Sequence, residues 1–201
     1  FWLAASTHPG EDEIVFAAHA KVKELYPNLL TILAPRHVNR ASSIVKLIES
    51  QGLSYAQRSL GQLPKTESDI YLVDTMGELG AFFKLSGIVF VAGSMHSGLK
   101  PIGGHNPLEP ALLGCAIAFG PDMSNIRDIA DGLLKRQAAQ EVANAKELSD
   151  FVAYFLKHPM LAEEMAEKAH FYANTQKEVL CKVMDYIAPY LPLAQTSSQQ
   201  R

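Results

Sequence analysis

Short apolar runs alternate with segments of helical periodicity up to about Ala145. Several runs are continuous in Val, Ile, Leu or Ala, which is typical of parallel strands that are buried on both faces. Because a helical segment follows most of the runs, the pattern predicts a parallel sheet covered by helices. The predicted strands are Trp2–Ser6, Leu29–Ala34, Ser54–Gln57, Ile70–Val73, Ile88–Ala92 and Ala116–Phe119.

The segments between these runs are predicted to be helices, and residues that stop helices mark several of their ends. Pro27 ends the first helix, and Gly52 provides a left-handed cap for the second. After about Ala145 the alternation stops and only helical periodicity remains. The predicted helices are Glu11–Leu25, Arg40–Gln51, Glu78–Leu85, Pro107–Leu113, Ile126–Lys135, Glu147–Leu156, Met160–Asn174 and Lys177–Tyr190.

Together the elements predict one Rossmann-like α/β domain, with a doubly wound parallel sheet and additional C-terminal helices. We expect this domain to cover residues 1–192. Residues 193–201, of which the last seven have no apolar side chain, are expected to form a disordered tail. The chain opens on a strand of the buried type without an initiator Met, so we expect the sequence to be part of a longer protein.

Composition narrows the classes of function. Hydrophobic residues make up 48% and charged residues 19%, as in an ordinary globular protein. The formal net charge of −3 argues against binding to nucleic acid, because such binders carry a basic surface. Cys115 and Cys181 fit neither a zinc motif nor a disulfide framework, and we expect free thiols in a reducing compartment. No apolar run is long enough to span a bilayer, and no signal peptide is visible.

The loops that follow the predicted strands are unusually polar, and ligands of open parallel sheets bind at this edge. The loops offer helix N-terminal amides, one arginine, four histidines and several carboxylates, which suit a phosphorylated, hydroxyl-rich ligand. The histidines lack tight metal-ligand spacing, so hydrogen bonding to phosphate or to the loop backbone is favoured over metal binding. The loops are Ser6–Asp12, Pro35–Asn39, Asp74–Glu78 and Gly93–Pro107.

Two of these loops also have the sequence of a helix start, which is an alternative explanation for them. Asn106, Pro107 and Glu109 fit the N-cap, first and third positions of a helix, and Thr75–Glu78 fits the same pattern. Capping does not explain the long segment before Asn106, whose four glycines indicate close approach of the backbone to a ligand. A P-loop is excluded because Leu99 occupies the place of its lysine, and neither a dinucleotide fingerprint nor a serine-hydrolase motif occurs.

Taken in order, the loop motifs resemble those of bacterial 3-deoxy-D-manno-octulosonic acid (Kdo) transferases. The resemblance runs from Trp2 to about Pro189, which is nearly the whole chain. Each motif alone is moderately specific, whereas the ordered set is strongly so. The motifs are Ser6–Asp12, Pro35–His37, Asp74–Leu79 and Gly103–Ala111.

The resemblance implies that the chain is the C-terminal, donor-binding half of a two-domain GT-B glycosyltransferase. Members of the family move Kdo from CMP-Kdo to the lipid A precursor in lipopolysaccharide biosynthesis. They invert the anomeric centre without a metal ion or other cofactor, at the cytoplasmic face of the bacterial inner membrane. The family's catalytic glutamate, membrane anchor and acceptor site lie in the N-terminal domain. We therefore expect this chain to bind the donor, to contact the N-terminal domain of the same protein, and to be inactive alone.

Roles for single residues follow from the motif matches only. Glu109 is expected to bind the ribose hydroxyls of the donor, and Asn106 with the adjoining helix start to face the CMP phosphate. Arg36 matches a residue that contacts CMP. The donor-binding set is completed by His37, Met76, Gly77 and Glu78, and the residues expected in the interdomain cleft are Ser6, His8, Gly10, Gly93, Ser94, Gly104 and His105.

Two other classes of function stay open on the sequence. The nucleotide-binding half of another GT-B enzyme, such as a UDP-sugar 2-epimerase, shares the architecture and predicts a preference for uracil nucleotides. A complete protein that binds a nucleotide or sugar phosphate without turnover predicts an ordinary N-terminus and a sealed surface. The buried-type strand at Phe1 argues against the second of these.

Overall fold

The computed structural model describes residues 1–95, 101–187 and 190, with side chains given outside 177–185. These residues form a sheet of seven strands: β1 (Trp2–Thr7), β2 (Thr31–Pro35), β3 (Tyr55–Gln57), β4 (Ile70–Leu72), β5 (Ile88–Val91), β6 (Ala116–Phe119) and β7 (Gln140–Glu141). Their order in the sheet is β3-β4-β2-β1-β5-β6-β7. Every neighbouring pair of strands is parallel.

Helices cover both faces of the sheet because successive strand residues point to opposite sides. The helices are α1 (Glu11–Lys23), α2 (Ala41–Ser50), α3 (Leu79–Ser86), α4 (Leu108–Leu112), α5 (Arg127–Lys135), α6 (Ala145–Lys157) and α7 (Pro159–Ile187). In β1, Trp2 and Ala4 belong to the core under α1, α2 and α6, whereas Leu3 and Ala5 belong to the core under α3, α4, α5 and α7. The two hydrophobic layers confirm the doubly wound α/β prediction.

The strand order changes direction at β1, which lies between β2 and β5. The connections that leave β1 and β5 lead to helices on opposite faces of the sheet, α1 on one and α4 on the other. In folds of this type a crevice opens at such a switch point, outside the carboxyl ends of the strands. The motif loops found in the sequence therefore leave the sheet at the edge where a ligand is expected.

The six predicted strands are confirmed, and their ends differ from the prediction by two residues or fewer. β7 was missed because Gln140 and Glu141 are polar and exposed, so no apolar run marks the strand. The prediction of two final helices is wrong, since α7 continues through residues 174–176. There Asn174 donates to the His170 carbonyl and Thr175 to the Tyr172 carbonyl, so both polar side chains bond within the helix.

Cys115 is a buried free thiol that donates to the Phe83 carbonyl. Burial raises the pKa of this thiol to about 12. The prediction of a free thiol is confirmed for Cys115, which is held in its unreactive, protonated form. The side chain of Cys181 and the expected tail at residues 193–201 lie outside the described part of the structure.

Candidate functional site

Residues from four of the motif loops lie at the carboxyl edge of the sheet. Those loops follow β1, β2, β4 and β5, and these four strands are consecutive in the sheet, in the order β4-β2-β1-β5. The loop after β1 carries His8, the loop after β2 carries Arg36 and His37, and the loop after β5 returns through His105 to α4. The sequence prediction of one shared edge is therefore reproduced by the fold.

Three histidines from three different loops form a cluster at this edge. The Nε2 atoms of His8 and His105 are 2.8 Å apart, and the two rings are nearly parallel with centroids 5.1 Å apart. The His37 ring meets His8 edge-on at 5.7 Å. The cluster joins the loops after β1, β2 and β5. Among the described residues no group of three or more His, Cys, Asp or Glu side chains has an arrangement that could hold a metal ion.

The surroundings of His8 and His105 keep these two rings neutral. Burial, followed by the neighbouring charges of His8, Arg36 and His37, lowers the pKa of His105 to about 4. Burial also lowers the pKa of His8, although the Glu11 carboxylate acts in the opposite direction. Near neutral pH the two rings are therefore hydrogen-bonding groups, and Arg36 contributes the positive charge.

The Arg36 side chain is exposed and available at this edge. Its backbone N–H donates to the Thr7 carbonyl, which fixes the start of the loop after β2. The guanidinium makes no ion pair with any described residue. In contrast, Arg40 in the same loop bonds the Thr7 carbonyl and pairs with the buried carboxylate of Asp12. Arg40 therefore has a structural role, and Arg36 is free to meet an anion.

Two polar side chains lie at the start of α4, and only one of them has a partner among the described residues. The Asn106 side chain accepts a hydrogen bond from the backbone N–H of Leu108 at 2.9 Å, as the capping explanation predicts. The Glu109 carboxylate is exposed and makes no hydrogen bond or ion pair with the described residues. One of its oxygens lies 3.6 Å from the position that a Cβ on Gly80 would take, so α3 packs beside it. Glu109 does not close a capping box, and its carboxylate can accept bonds from a ligand.

The loop after β4 places Met76, Gly77 and Glu78 at the start of α3. Met76 is 75% exposed and Gly77 adopts a φ of +83°, so this turn projects from the sheet. Glu78 pairs with Arg58 at 2.6 Å and accepts a bond from the Thr75 hydroxyl, which lowers the pKa of its carboxyl to about 2. The Glu78 carboxylate is already engaged in holding this turn.

The structure does not expose Gly93, Ser94 and Gly104 at the edge, because all three are buried. The Ser94 hydroxyl donates to the Val91 carbonyl and accepts from the Gly120 N–H. A Cβ on Gly104 would lie 2.5 Å from the Met123 sulfur, so the close backbone approach is to the chain itself. Of the three, Gly93 lies against the His105 ring, where a Cβ would lie 2.7 Å from the imidazole Cδ2. The remaining residues assigned to the cleft are partly exposed, and they are Ser6, His8, Gly10 and His105.

Glu11 is a site residue that the sequence analysis did not single out. Its buried carboxylate accepts hydrogen bonds from the backbone N–H groups of His8, Gly93, Ser94 and Met95. Acidic residues are common in the first turn of a helix because they interact favourably with the helix dipole. The sequence position of Glu11 in the first turn of α1 therefore does not by itself indicate a further role. Its position directly after Gly10 in the Ser6–Asp12 motif was the available signal. Glu11 connects the loops that flank the switch point.

A separate apolar groove of about 440 Å³ lies beside α7. We refer to it as the α7 groove, and its lining includes Gly114, Glu163, Ala166, His170 and Phe171. Gly114 precedes β6, which places the groove towards the amino edge of the sheet and away from the motif loops.

None of the helices in the described part of the chain combines the length and the apolar character that a membrane span requires.

Comparison with known proteins assigns the chain to a family. No protein-family model matches it. Over 191 residues the chain is 36% identical to the 3-deoxy-D-manno-octulosonic acid transferase of Rickettsia prowazekii, and over 191 residues it is 34% identical to that of Haemophilus influenzae. Both alignments cover 94% of this chain, but only 40% and 44% of the two relatives. The chain therefore spans less than half the length of these curated relatives.

Solved structures agree with this assignment. The C-terminal CMP-Kdo binding domain of WaaA from Acinetobacter baumannii matches with a TM-score of 0.79 and 31% identity, covering 85% of this chain and 86% of that domain. The C-terminal domain of the glycosyl transferase LpcC from Francisella tularensis matches with a TM-score of 0.57 at 13% identity, which supports the fold alone. These neighbours confirm the predicted fold of a GT-B C-terminal domain. The chain belongs to the Kdo transferase family and corresponds to its C-terminal domain.

Proposed function

We propose that this chain is the donor-binding part of a Kdo transferase and binds CMP-Kdo at the carboxyl edge of its sheet. The observation that carries this proposal is that two charged side chains without protein partners lie beside the switch point of the fold. Arg36 and Glu109 are exposed, and neither side chain has a hydrogen-bonding or ionic partner among the described residues. Such groups can bond a ligand without giving up an existing contact within the protein.

The assignment of groups to the donor follows from their chemistry. The Arg36 guanidinium donates to anions and suits the phosphate of CMP-Kdo. The Glu109 carboxylate only accepts hydrogen bonds and suits the ribose hydroxyls. The exposed turn at Met76 and Gly77 borders the nucleotide, while His37 and Asn106 contribute hydrogen-bonding groups beside the phosphate. Glu78 serves this site by holding the turn, since its carboxylate is paired with Arg58.

The remaining steps of the reaction belong to the whole protein. The lipid A precursor is the proposed acceptor, reached through the N-terminal domain, at the cytoplasmic face of the inner membrane. The catalytic base belongs to that domain as well, so the isolated chain binds the donor without transferring Kdo. Family membership supports this part of the proposal, because the curated relatives extend well beyond the chain.

Calorimetric titration with CMP tests the assignment of Arg36 and Glu109. The relative from A. baumannii was crystallised as a separate domain, so the 201-residue chain is a suitable object. We expect Arg36→Ala and Glu109→Gln each to weaken CMP binding by roughly ten- to a hundredfold, the usual effect of losing a charged hydrogen bond.

Two exposed residues at the opposite end of the helices provide matched controls. Glu24 follows the last residue of α1 and Lys84 lies near the end of α3. Glu24→Gln and Lys84→Ala remove the same kinds of charge and should leave CMP affinity unchanged. Parent-like affinity in both Arg36→Ala and Glu109→Gln would show that the donor binds elsewhere.

A further inference from the structure

Glu11 is a buried carboxylate whose hydrogen bonds all come from backbone N–H groups. It lies in the first turn of α1 and is 1% exposed. One oxygen, Oε2, accepts from His8 at 2.9 Å and from Gly93 at 2.8 Å. The other, Oε1, accepts from Ser94 and Met95, both at 3.0 Å. Four charge-assisted bonds thus join the loop after β1 to the turn after β5.

Residues 93–95 form a small anion-binding turn that the chain itself fills. Three consecutive backbone N–H groups converge on the carboxylate, and Gly93 provides the left-handed conformation with a φ of +74°. Successive N–H groups arranged in this way form the concave sites that hold phosphate in other folds. Here they are satisfied by Glu11, so the donor phosphate must use other groups at this edge.

The 93–95 turn, which Glu11 occupies, also holds the segment that leads to α4. The Gly93 carbonyl accepts a bond from the Gly104 N–H at 2.8 Å, and the Ser94 carbonyl accepts from the Asp122 N–H at 2.9 Å. His105, which follows Gly104, has its ring packed directly over Gly93. A Cβ on Gly93 would lie 2.7 Å from the imidazole Cδ2. The position of His105 therefore depends on the position of the 93–95 turn.

We propose that Glu11 is a positioning residue of the donor site. Its carboxylate fixes the 93–95 turn, and through the turn it sets the position of His105 and of the start of α4, where Asn106 and Glu109 lie. Glu11 acts without touching the donor, because its oxygens are already bonded to the backbone and are buried. The consequence for CMP binding rests on the proposed function, whereas the placement of His105 does not.

Replacement of Glu11 by glutamine tests the proposal in the 201-residue chain. Glutamine keeps the size of the side chain, but its NH₂ group faces two backbone N–H groups that need an acceptor. We expect Glu11→Gln to shift the backbone amide resonances of Gly93, Ser94 and Met95, and also the ring resonances of His105. We expect CMP affinity to fall by roughly tenfold or more.

Asp69→Asn is the matched control for loss of a buried carboxylate. Asp69 is also buried and accepts from the Ser54 backbone N–H, but it lies at the amino edge of the sheet, before β4. This variant should lose stability while the resonances of residues 93–95 and of His105, together with CMP affinity, stay as in the parent. Ser94→Ala is a second test that leaves Glu11 intact, since it removes the bonds of the Ser94 hydroxyl to Val91 and Gly120. If Glu11→Gln does not fold, Ser94→Ala decides, with a several-fold loss of CMP affinity expected.

The outcomes separate this proposal from the proposed function. A folded Glu11→Gln chain with parent-like His105 resonances would overturn the positioning role, whether or not the chain binds CMP. Parent-like CMP affinity in Glu11→Gln, or in Ser94→Ala if the first variant is unfolded, would overturn it as well. Absence of CMP binding in the parent would count against the proposed function, while the His105 resonances would still decide the role of Glu11.

Discussion

The Nε2 atoms of His8 and His105 lie 2.8 Å apart, and the bond between them joins residues that are 97 positions apart in sequence. One ring must donate the shared hydrogen and the other must accept it. The pair can therefore carry three protons at most while the bond persists, because a fourth would point two N–H groups at each other. This contact links the two loops that leave the switch point of the sheet, and it makes the edge sensitive to pH.

The first prediction is that the folded chain loses stability between pH 7.5 and pH 5.5. The folded-state pKa values of His8, His19 and His105 lie below the ordinary value of 6.5, mainly through burial. The unfolded chain therefore takes up more protons as the pH falls through 6.5, and stability falls with it. For His105, whose folded pKa is about 4, partial exposure and solvent screening reduce the contribution at pH 5.5 to roughly 0.5–1 kcal/mol.

Urea unfolding of the parent and of His105→Gln at both pH values measures this effect. The variant should lose less stability on acidification than the parent, with the remaining loss due largely to His8 and His19. Equal losses in the two proteins would show that His105 does not titrate as its surroundings indicate.

The second prediction concerns the carboxyl group of Glu78. Its bonds from Arg58 and Thr75 hold its pKa at about 2, against an ordinary value of 4.5. In Arg58→Ala the pKa should return most of the way to the ordinary value, because the largest of these influences is lost. The measurement is an NMR titration of the Glu78 side chain in both proteins. Titration near 4.5 in the parent would mean that this carboxylate is free for a ligand rather than committed to Arg58.

The third prediction separates two glycines that share a left-handed conformation. Gly104 has a φ of +81° and no room for a Cβ, because the Met123 sulfur would lie 2.5 Å away. Gly77 has a φ of +83° and no atom within 4 Å of that position. We expect Gly77→Ala to cost about 1 kcal/mol through backbone strain alone, and Gly104→Ala about 2–3 kcal/mol through strain and overlap. Chemical denaturation measures both, and equal costs would contradict the packing explanation for Gly104.

The parallel sheet could be predicted because its strands are buried on both faces and are therefore continuous in apolar residues. The same rule failed for β7, where Gln140 and Glu141 pair with β6 although both are exposed. The prediction of a helix end at residues 174–176, which rests on their polar side chains, is also wrong. Asn174 and Thr175 instead bond carbonyls of the preceding turn, which only the three-dimensional structure shows.

The candidate site could be located from its loops, but its internal contacts could not. Arg36 and Glu109 were identified through the family motifs, and the structure leaves both side chains exposed. The Glu11 carboxylate bonds a turn more than eighty residues away in sequence, formed by Gly93, Ser94 and Met95. Local pattern carries no information on such a contact, and the acidic residue has a simpler local explanation at a helix start.

The central claim, that CMP binds at the carboxyl edge of this sheet, is tested most directly by an NMR titration of the isotope-labelled chain with CMP, with UMP as the control. We predict saturable shifts that are largest at Arg36, at residues 76–78 and at residues 106–109, with at least tenfold weaker binding of UMP. Larger shifts along the α7 groove would contradict the location of the site. Equal or tighter binding of UMP would contradict the assignment of the donor and favour an enzyme that uses uracil nucleotides.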